Sequence, residues 1–398
     1  MTAAVAERTR TPLVTVHVWT KGMAPKGMVR GLLSYTLAER WNAASTATFT
    51  IKSDDRRIND LRTPGARAVM AYWANQDDAE QPGKSPTLAI SGTVVEEKGN
   101  PKSGKATSVT FTIEDDWVDV MQNTLGWVAP SQPITNQGAE SAYYKATGPA
   151  ETVAKTIIAA NCSRAGKPLT VPASTGKGGN VTISLRMHPL VDRLLPAVDD
   201  AGIRLRILQV GNTRRLLIEE RTIYTETLTD RDGSVIEAAY TLNAPKVTRL
   251  VCGASGSKEA RIFRLKVKTA LEAEWGFARE EFLDCRDIDY PSATFEAEVT
   301  ARAEERFAET GPTSGCNAKL QESARFWVGD KIRLGTKVKI QLGDGPLVDD
   351  LVREIQVSST SAGLIVEPLV GMWDESNNRK MYNLLAAGAK KSRDLGVQ

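Results

Sequence analysis

The stretch Leu13-Val14-Thr15-Val16-His17-Val18-Trp19 places a valine at every second position. Successive side chains of a β-strand point to opposite faces, so these three valines would share one face. The same period of two returns along the first third of the chain, with turn-rich pieces such as Thr63-Pro64-Gly65 between the repeats. This spacing predicts an antiparallel barrel or sandwich with one short helix near residues 55–61. The predicted strands cover residues 13–19, 46–51, 67–73, 88–97 and 107–114.

The rest of the chain mixes helices with further strands. Amphipathic helices are predicted for residues 149–161 and 189–201, a short helix for 269–275 and a charge-rich helix for 291–309. Between 126 and 148 the chain is polar, small and proline-containing, which predicts a long connecting loop. The remaining predicted strands are 203–210, 214–220, 235–242, 247–253, 316–321, 336–342, 347–358 and 363–370.

Length and charge bound the class of protein. With 398 residues the chain exceeds what one hydrophobic core usually supports, so we expect roughly two to four domains. Lysine and arginine total 51 against 48 aspartates and glutamates, a formal net charge of +3. The two signs are interspersed, as in Asp54-Asp55-Arg56-Arg57, whereas nucleic-acid-binding proteins cluster basic residues on one surface. The charges therefore indicate a solvated surface.

Cysteine use and the N-terminal residues indicate a reducing compartment. The N-terminus turns to charge at Glu7-Arg8 before an apolar signal sequence could form. No apolar run approaches the roughly 20 residues that cross a bilayer. We expect a protein made in a cytoplasm, with no membrane-spanning segment. Its four cysteines form no CxxC pair and no disulfide-type spacing, and are expected to be free or buried: Cys162, Cys252, Cys285 and Cys316.

Residues suited to catalysis or metal binding are sparse. Only His17 and His188 are present, one in a predicted strand and one at the entry to a helix, which disfavours a histidine-based metal site or triad. Adjacent residues on a strand point to opposite faces, so acidic doublets such as Asp115-Asp116 cannot themselves form a facing glycosidase pair. A pair from two different strands stays open. We expect no catalytic, cofactor-binding or metal-binding residues and no cofactor.

Two motifs come close to a catalytic pattern. Residues 99–106 nearly fit the Walker A sequence, but Ala106 occupies the place of the magnesium-binding Ser or Thr, and the stretch lies between two strands. A basic hairpin tip is the better interpretation. Residues 253–257 miss the nucleophile elbow because Ser257 replaces its final glycine. The eight scattered tryptophans favour core or interface packing over a sugar-binding platform.

Four stretches, taken in their order, carry a resemblance to a known family. The first leads from strands 33–41 and 47–51 to Asp60-Leu61-Arg62-Thr63-Pro64-Gly65, and the second joins Ile90-Ser91-Gly92-Thr93-Val94 to residues 109–116. The third combines 181–185, the helix after Pro189 and residues 201–206; the fourth leads from 240–245 through 250–254 to 275–284. In this order they resemble the tail hub, or minor tail, proteins of siphophages over most of residues 10–372. The polar loop around 76–86 departs from that pattern.

The resemblance implies a mainly β protein with α+β elements. It would contain two tube-like antiparallel β-barrel or sandwich domains with flanking helices and an inserted peripheral α/β domain. The implied division is 1–120, completed by about 226–255; 121–225, completed by about 312–372; the inserted 256–311; and a charged tail, 373–398. It also implies a homotrimer whose six tube-like domains form a ring continuing the sixfold tail tube, which would cover exposed sheet edges.

The leading hypothesis is therefore a non-enzymatic virion protein, made in the host cytoplasm, that forms the trimeric tail-tip (baseplate) hub. The implied partners are its own copies, the distal tail or tail tube protein, a tail fibre or tip protein, and DNA passing through the lumen without specific binding. An acidic or neutral lumen is expected, because a basic lining would hold DNA. Two alternatives stay open: a carbohydrate-binding adhesin module of the tail tip, and a hydrolase with an unrecognised site.

Overall fold

A computed structural model describes residues 13–73, 87–99, 108–137, 143–256, 258–323, 325–341, 343, 345–360 and 363–371. The chain divides into two compact units, of which the second comprises Ala238–Asn317 and the first contains the rest. The expectations for the loop at 75–86, the hairpin tip at 100–106 and the tail at 373–398 concern residues outside those described.

The N-terminal part of the first unit consists of antiparallel strands and one short helix. Apolar side chains at alternate positions of these strands are buried, which is the pattern that the sequence predicts. The elements are β1 Leu13–Trp19, β2 Pro25–Met28, β3 Leu32–Arg40, β4 Thr46–Lys52, α1 Ile58–Arg62, β5 Arg67–Trp73, β6 Thr87–Gly99 and β7 Ser108–Asp115.

Residues 117–220 form a module with its own hydrophobic core. Two helices and three small antiparallel pairs of strands share this core, in which Ile157 of the first helix and Leu194 of the second are buried. The elements are β8 Leu125–Gly126, β9 Tyr144–Pro149, α2 Ala150–Arg164, β10 Asn180–Leu185, β11 His188–Pro189, α3 Leu190–Asp200, β12 Ile203–Val210 and β13 Thr213–Glu220.

After this module the chain forms β14 Thr222–Thr229 and leaves the first unit within β15 Val235–Asn243. The second unit is a three-stranded sheet with one long helix, whose Val299 and Phe307 pack against Leu250 and Cys252 of the central strand. Its elements are β16 Arg249–Gly253, β17 Phe263–Val267, α4 Thr269–Trp275, β18 Glu280–Asp284 and α5 Phe295–Thr310.

The chain returns to the first unit within β19 Thr313–Leu320 and ends in β20 Thr336–Gln341, β21 Val348–Thr360 and β22 Gly363–Val370. These strands join the N-terminal strands in one large sheet of order β22-β21-β3-β4-β7-β6-β5-β1-β2. β20 pairs with β21 and, in parallel, with β14. The sheet therefore combines strands from both ends of the first unit.

Strand β6 changes partner along its length. Residues 87–93 pair with β5, and residues 92–99 pair with β7, with an irregularity between Val94 and Glu96. At Gly92 a Cβ atom would overlap the Glu114 carbonyl oxygen of β7. Only glycine permits this close approach of two backbones.

The predicted fold class is confirmed, since the protein is mainly β with large antiparallel sheets. The prediction of one long loop at 126–148 is wrong in part, because Tyr144–Pro149 pairs with Asn180–Leu185. The sequence interpretation also missed β2, β14, β17 and β18. The charge-rich helix begins at Phe295, four residues beyond Pro291.

Two pairings differ from the sequence-based division of the chain. Arg249–Gly253, which that division used to complete the first tube-like domain, pairs instead with Phe263–Val267 and Glu280–Asp284 of the second unit. Strand β21, assigned to complete 121–225, pairs directly with β3. The reason is that residues 121–220 bury their apolar side chains in a core of their own.

Candidate assembly surface

One face of the large sheet carries short hydroxyl side chains at alternate positions. In β4 the threonines alternate with the buried Ala47, Phe49 and Ile51, and the registered neighbours repeat the pattern. These hydroxyl side chains are exposed or half-buried. This hydroxyl face comprises Ser34, Thr36, Thr46, Thr48, Thr50, Ser108, Thr110, Thr112 and Ser358.

Register aligns the hydroxyl side chains of four neighbouring strands, β21, β3, β4 and β7, on this face. Two cross-strand hydrogen bonds link its side chains: Thr50 and Thr110 share one of 2.8 Å between their Oγ1 atoms, and Thr112 Oγ1 donates to Glu96 Oε2 at 3.1 Å. Such pairs on neighbouring strands stabilise a sheet locally. A single row of directly paired residues crosses from β22 to β6 through Ile365, Ser358, Thr36, Thr48, Thr112 and Glu96.

The charged side chains that register places on the same face balance in number: Arg40, Lys52, Lys98 and Lys319 against Glu96, Glu114, Glu354 and Glu367. Arg40 Nε lies 2.7 Å from Glu354 Oε2, and Lys98 Nζ lies 2.9 Å from Glu96 Oε1. A third pair joins Lys319 Nζ and Glu367 Oε1 at 2.6 Å. Of the three pairs only Lys98 with Glu96 is well exposed, and an exposed pair adds little to folding stability. Their consequence is electrostatic, because three cations of the face are paired with carboxylates.

The opposite face of the same strands is a packed core. Phe49 and Phe111, both with no exposed surface, are directly paired and their rings stack with centroids 5.7 Å apart. Burying one such side chain contributes about 2–3 kcal/mol to folding. A shift of one residue in the register between strands would exchange the two faces of the sheet. The buried phenylalanines therefore fix the register that leaves the hydroxyl side chains on the opposite face.

Two segments of this six-stranded run pair on one side only, within the part of the chain that the structure describes. Residues 95–99 of β6 pair with β7 on one side, and the pairing of β6 with β5 on the other side stops at Thr93. Residues 363–367 of β22 pair with β21, whereas β19 pairs only further along, at Val370 and Leu369. We call these segments the β6 edge and the β22 edge. Each presents backbone donors and acceptors that a further strand could pair with.

Asp199, near the end of α3, binds the helical module to the sheet. Its carboxylate accepts hydrogen bonds from Trp41 Nε1 at 2.6 Å and Asn42 Nδ2 at 3.1 Å, both beyond the end of β3. Arg353 of β21 and Arg221 add ion pairs at 3.2 and 3.3 Å. Burial alone would raise the pKa of Asp199, but these partners outweigh it and lower the pKa below its usual range.

A buried polar network joins β5, β6 and the module. Arg67 Nη2 lies 2.5 Å from Asp116 Oδ2, and Arg67 Nε donates to Gln209 Oε1 at 2.7 Å. Ser91 Oγ donates to the same Asp116 oxygen at 2.7 Å and accepts from Gln209 N at 2.7 Å. A buried pair requires such additional hydrogen bonds to offset its desolvation. The network therefore gives Asp116 a structural role, and Asp115 beside it accepts hydrogen bonds from Ser45 N at 2.9 Å and Trp117 N at 3.0 Å.

The histidines and cysteines considered for catalysis or metal binding occupy structural positions. His17 pairs with Val69 in the sheet, and burial lowers its pKa. His188 lies in β11 and accepts a hydrogen bond from Arg186 N at 3.2 Å. All four cysteines are buried. Within the described ranges no three His, Cys, Asp or Glu side chains are grouped to hold a metal ion.

The other motifs have structural positions. Gly253, the first residue of the near-elbow, is the last residue of β16, and Ser257 lies outside the described residues. Of the tryptophans, Trp41 and Trp117 are buried. No helix in the described part of the chain is long and apolar enough to cross a membrane. The hydroxyl face was missed by sequence reasoning, although the alternating threonines of β4 and β7 were a readable signal.

Comparison with known proteins agrees with the resemblance in segment order. A profile of the family described as Siphovirus ReqiPepy6 Gp37-like protein matches residues 15–372. No curated protein sequence matches the chain.

Among solved structures, the fold is similar to a 43 kDa tail protein of prophage MuSo2 from Shewanella oneidensis, with 12% identity and a TM-score of 0.52, over 90% of this chain and 98% of that one. It is also similar to prophage tail protein gp18 from Listeria monocytogenes EGD-e, with 11% identity and a TM-score of 0.50, over 94% and 98%. At this identity the likeness concerns the fold. The chain belongs to the family of Siphovirus ReqiPepy6 Gp37-like proteins.

Proposed function

We propose that this chain is a subunit of a homotrimeric hub at the tail tip, in which the sheets of three copies surround a channel for DNA. The hydroxyl face would line that channel. The observation that supports the proposal is the row of registered residues from Ser358 to Glu96, which continues one polar face over five strands and reaches β22 at Ile365. A packed core lies on the other face, whereas the hydroxyl side chains are exposed or half-buried.

The chemistry of the hydroxyl face suits passage of DNA without specific binding. Clustered lysines and arginines bind DNA phosphates by releasing counterions. Here Arg40, Lys98 and Lys319 are each paired with a glutamate of the same face. Threonine and serine side chains add neither charge nor bulk. A neutral lining of this kind would let the phosphate backbone slide past.

Each copy would supply two groups of strands to the ring. One consists of the N-terminal strands β3, β4, β7 and β6, and the other of β21 and β22 with β20 and β14 beside them. The pairing of β21 with β3 joins the two. We propose these as the two tube-like domains, with residues 117–220 and the second unit as additions. Six such domains in a trimer would match a sixfold tail tube.

The partners follow from this position. One end of the ring would contact the distal tail or tail tube protein, and the other a tail fibre or tip protein, with the protein located at the tail tip of the virion. Permanent assemblies of this kind bury more than about 2,000 Å² in total at each interface. The adhesin alternative has less support, because Trp41 and Trp117 are buried and the exposed Trp275 and Trp327 lie in different units.

The test adds charge to the proposed lining. We would replace both Thr48 and Thr112 by lysine in a phage supplied with the variant protein, and use glutamine at the same two positions as the uncharged control. Particles should assemble in normal numbers in both cases. The lysine variant should eject its DNA at least about tenfold more slowly at low salt and recover at high salt, since the added cations hold phosphates. Equal ejection rates for the two variants at every salt concentration would contradict the proposal.

A further inference from the structure

The β6 edge and the β22 edge are the two ends of one run of strands. The run has the order β22-β21-β3-β4-β7-β6, and each neighbouring pair in it is antiparallel. With six strands alternating in direction, the first and the last run in opposite directions. Rotation about a ring axis preserves the direction of each strand along that axis. In a ring of copies, β6 of one subunit and β22 of the next would therefore meet as an antiparallel pair.

The open halves of these two strands also lie at the same end of the sheet. In β6 the open half is the C-terminal part, beyond Thr93, where pairing with β5 stops. In β22 it is the N-terminal part, before Leu369, where pairing with β19 starts. Because the strands run in opposite directions, these halves are level with each other. The registered row that starts at Ile365 and ends at Glu96 shows the same correspondence residue by residue.

Each edge carries an apolar side chain that one copy leaves uncovered. Val95 is 53% exposed in the β6 edge, and Ile365 is 49% exposed in the β22 edge. Long open strands with exposed apolar residues are aggregation sites unless another chain covers them. Charge also limits the register, because a stagger that sets Glu96 against Glu367 opposes two carboxylates, whereas one that sets Lys98 against Glu367 pairs opposite charges.

We propose that residues 95–99 of one copy pair antiparallel with residues 363–367 of the next copy. The occupant of each edge is thus the other edge of a second copy of this chain. This inference rests on the proposed trimer and adds which segments form its contact. The contact is head-to-tail, with two different surfaces meeting, so three repetitions of it can close a ring. The hydroxyl face then continues unbroken from subunit to subunit.

The test uses cysteine pairs on the purified full-length protein. Three double variants each represent one register: Glu96→Cys with Ile365→Cys, Lys98→Cys with Ile365→Cys, and Lys98→Cys with Glu367→Cys. The four positions that these variants use lie on the same side of the sheet as the hydroxyl face. The control double variant combines Lys98→Cys with Thr48→Cys, which lies on a central strand. After mild oxidation, denaturing electrophoresis without reductant separates monomers from linked dimers and trimers, and sedimentation of the same samples gives the assembly mass.

At least one double variant should form disulfide-linked dimers and trimers about tenfold or more faster than the control, because the ring holds the two thiols at high effective concentration. Each single variant should stay unlinked by itself, and a mixture of the two single variants of whichever pair links should yield dimers only. A trimeric mass without linking in any double variant would overturn the edge pairing while leaving the hub intact. Linking in a single variant would also overturn it. A monomeric mass at every concentration would overturn the hub as well.

Discussion

Replacing Gly92 with alanine should break the sheet where β6 passes from β5 to β7. A Cβ atom at this position would overlap the backbone carbonyl oxygen of Glu114, which belongs to the neighbouring strand. A backbone oxygen cannot rotate away as a side chain can. Strand β7 must therefore move away from β6, and the β6 edge is the continuation of that same strand.

The magnitude follows from the pairs that this movement separates. Gly92 is registered with Asp115, and Thr93 with Glu114. Two or three backbone hydrogen bonds, at about 1 kcal/mol each, would be lost. Ile113, buried beside them, would lose part of its packing. We expect Gly92→Ala to lower the free energy of unfolding by about 3–5 kcal/mol, the range of the most damaging single substitutions.

The same strand provides a matched control. At Gly99 the nearest atom to a new Cβ is Val109 Cγ2 at 3.9 Å, an ordinary contact. Gly99→Ala should therefore change the free energy of unfolding by no more than about 1 kcal/mol, in the stabilising direction, since alanine restricts the unfolded chain. Urea denaturation followed by circular dichroism gives both values. If the free energies of unfolding of the two variants differ by less than about 1 kcal/mol, the size of an ordinary substitution effect, the Cβ atom at position 92 does not separate the strands.

Three further changes test the contacts inside the first unit. Hydrogen bonds from Lys155 and from the loop at 175–177 overcome the effect of burial and lower the pKa of Glu151 from 4.5 to about 2. Glu151→Gln should therefore lower the free energy of unfolding by about 3 kcal/mol at pH 7. In urea titrations the difference from wild type should vanish as the pH falls from 4.5 to 2, because the carboxylate becomes protonated in both the folded and the unfolded protein. Asp199→Ala should lower the free energy of unfolding by about 2–4 kcal/mol and the exposed Asp200→Ala by less than about 0.5, measured by the same titrations. Asp116→Ala should cost about 3–5 kcal/mol and Arg67→Met together with Asp116→Leu distinctly less, since the double change leaves no buried charge unpaired; equal losses would contradict this.

Much of the fold could be predicted because its strands alternate clearly. Leu13–Trp19, Arg67–Trp73 and Gly363–Val370 begin and end where the pattern of apolar residues predicts. Thr269–Trp275 was likewise predicted with its observed bounds. Short or polar strands were missed, among them Pro25–Met28. Their pairing depends on partners distant in sequence, which a local pattern does not contain.

The candidate surface was only partly predictable for the same reason. The alternation of threonine in β4 and β7 shows that each strand has a polar face, but not that the faces align. Alignment comes from register, such as Thr48 against Thr112 and Ser358 against Thr36. The joining of β21 to β3, more than 300 residues apart, is long-range in the same way. Ion pairs such as Arg40 with Glu354 follow from that pairing.

Electron cryo-microscopy of the purified assembly tests the central claim most directly. We expect three copies around one axis, with the threonines of β4 and β7 facing an open channel and residues 95–99 of each copy beside residues 363–367 of the next. A reconstruction in which the hydroxyl face of those strands points away from the axis, or is covered by another protein, would contradict it.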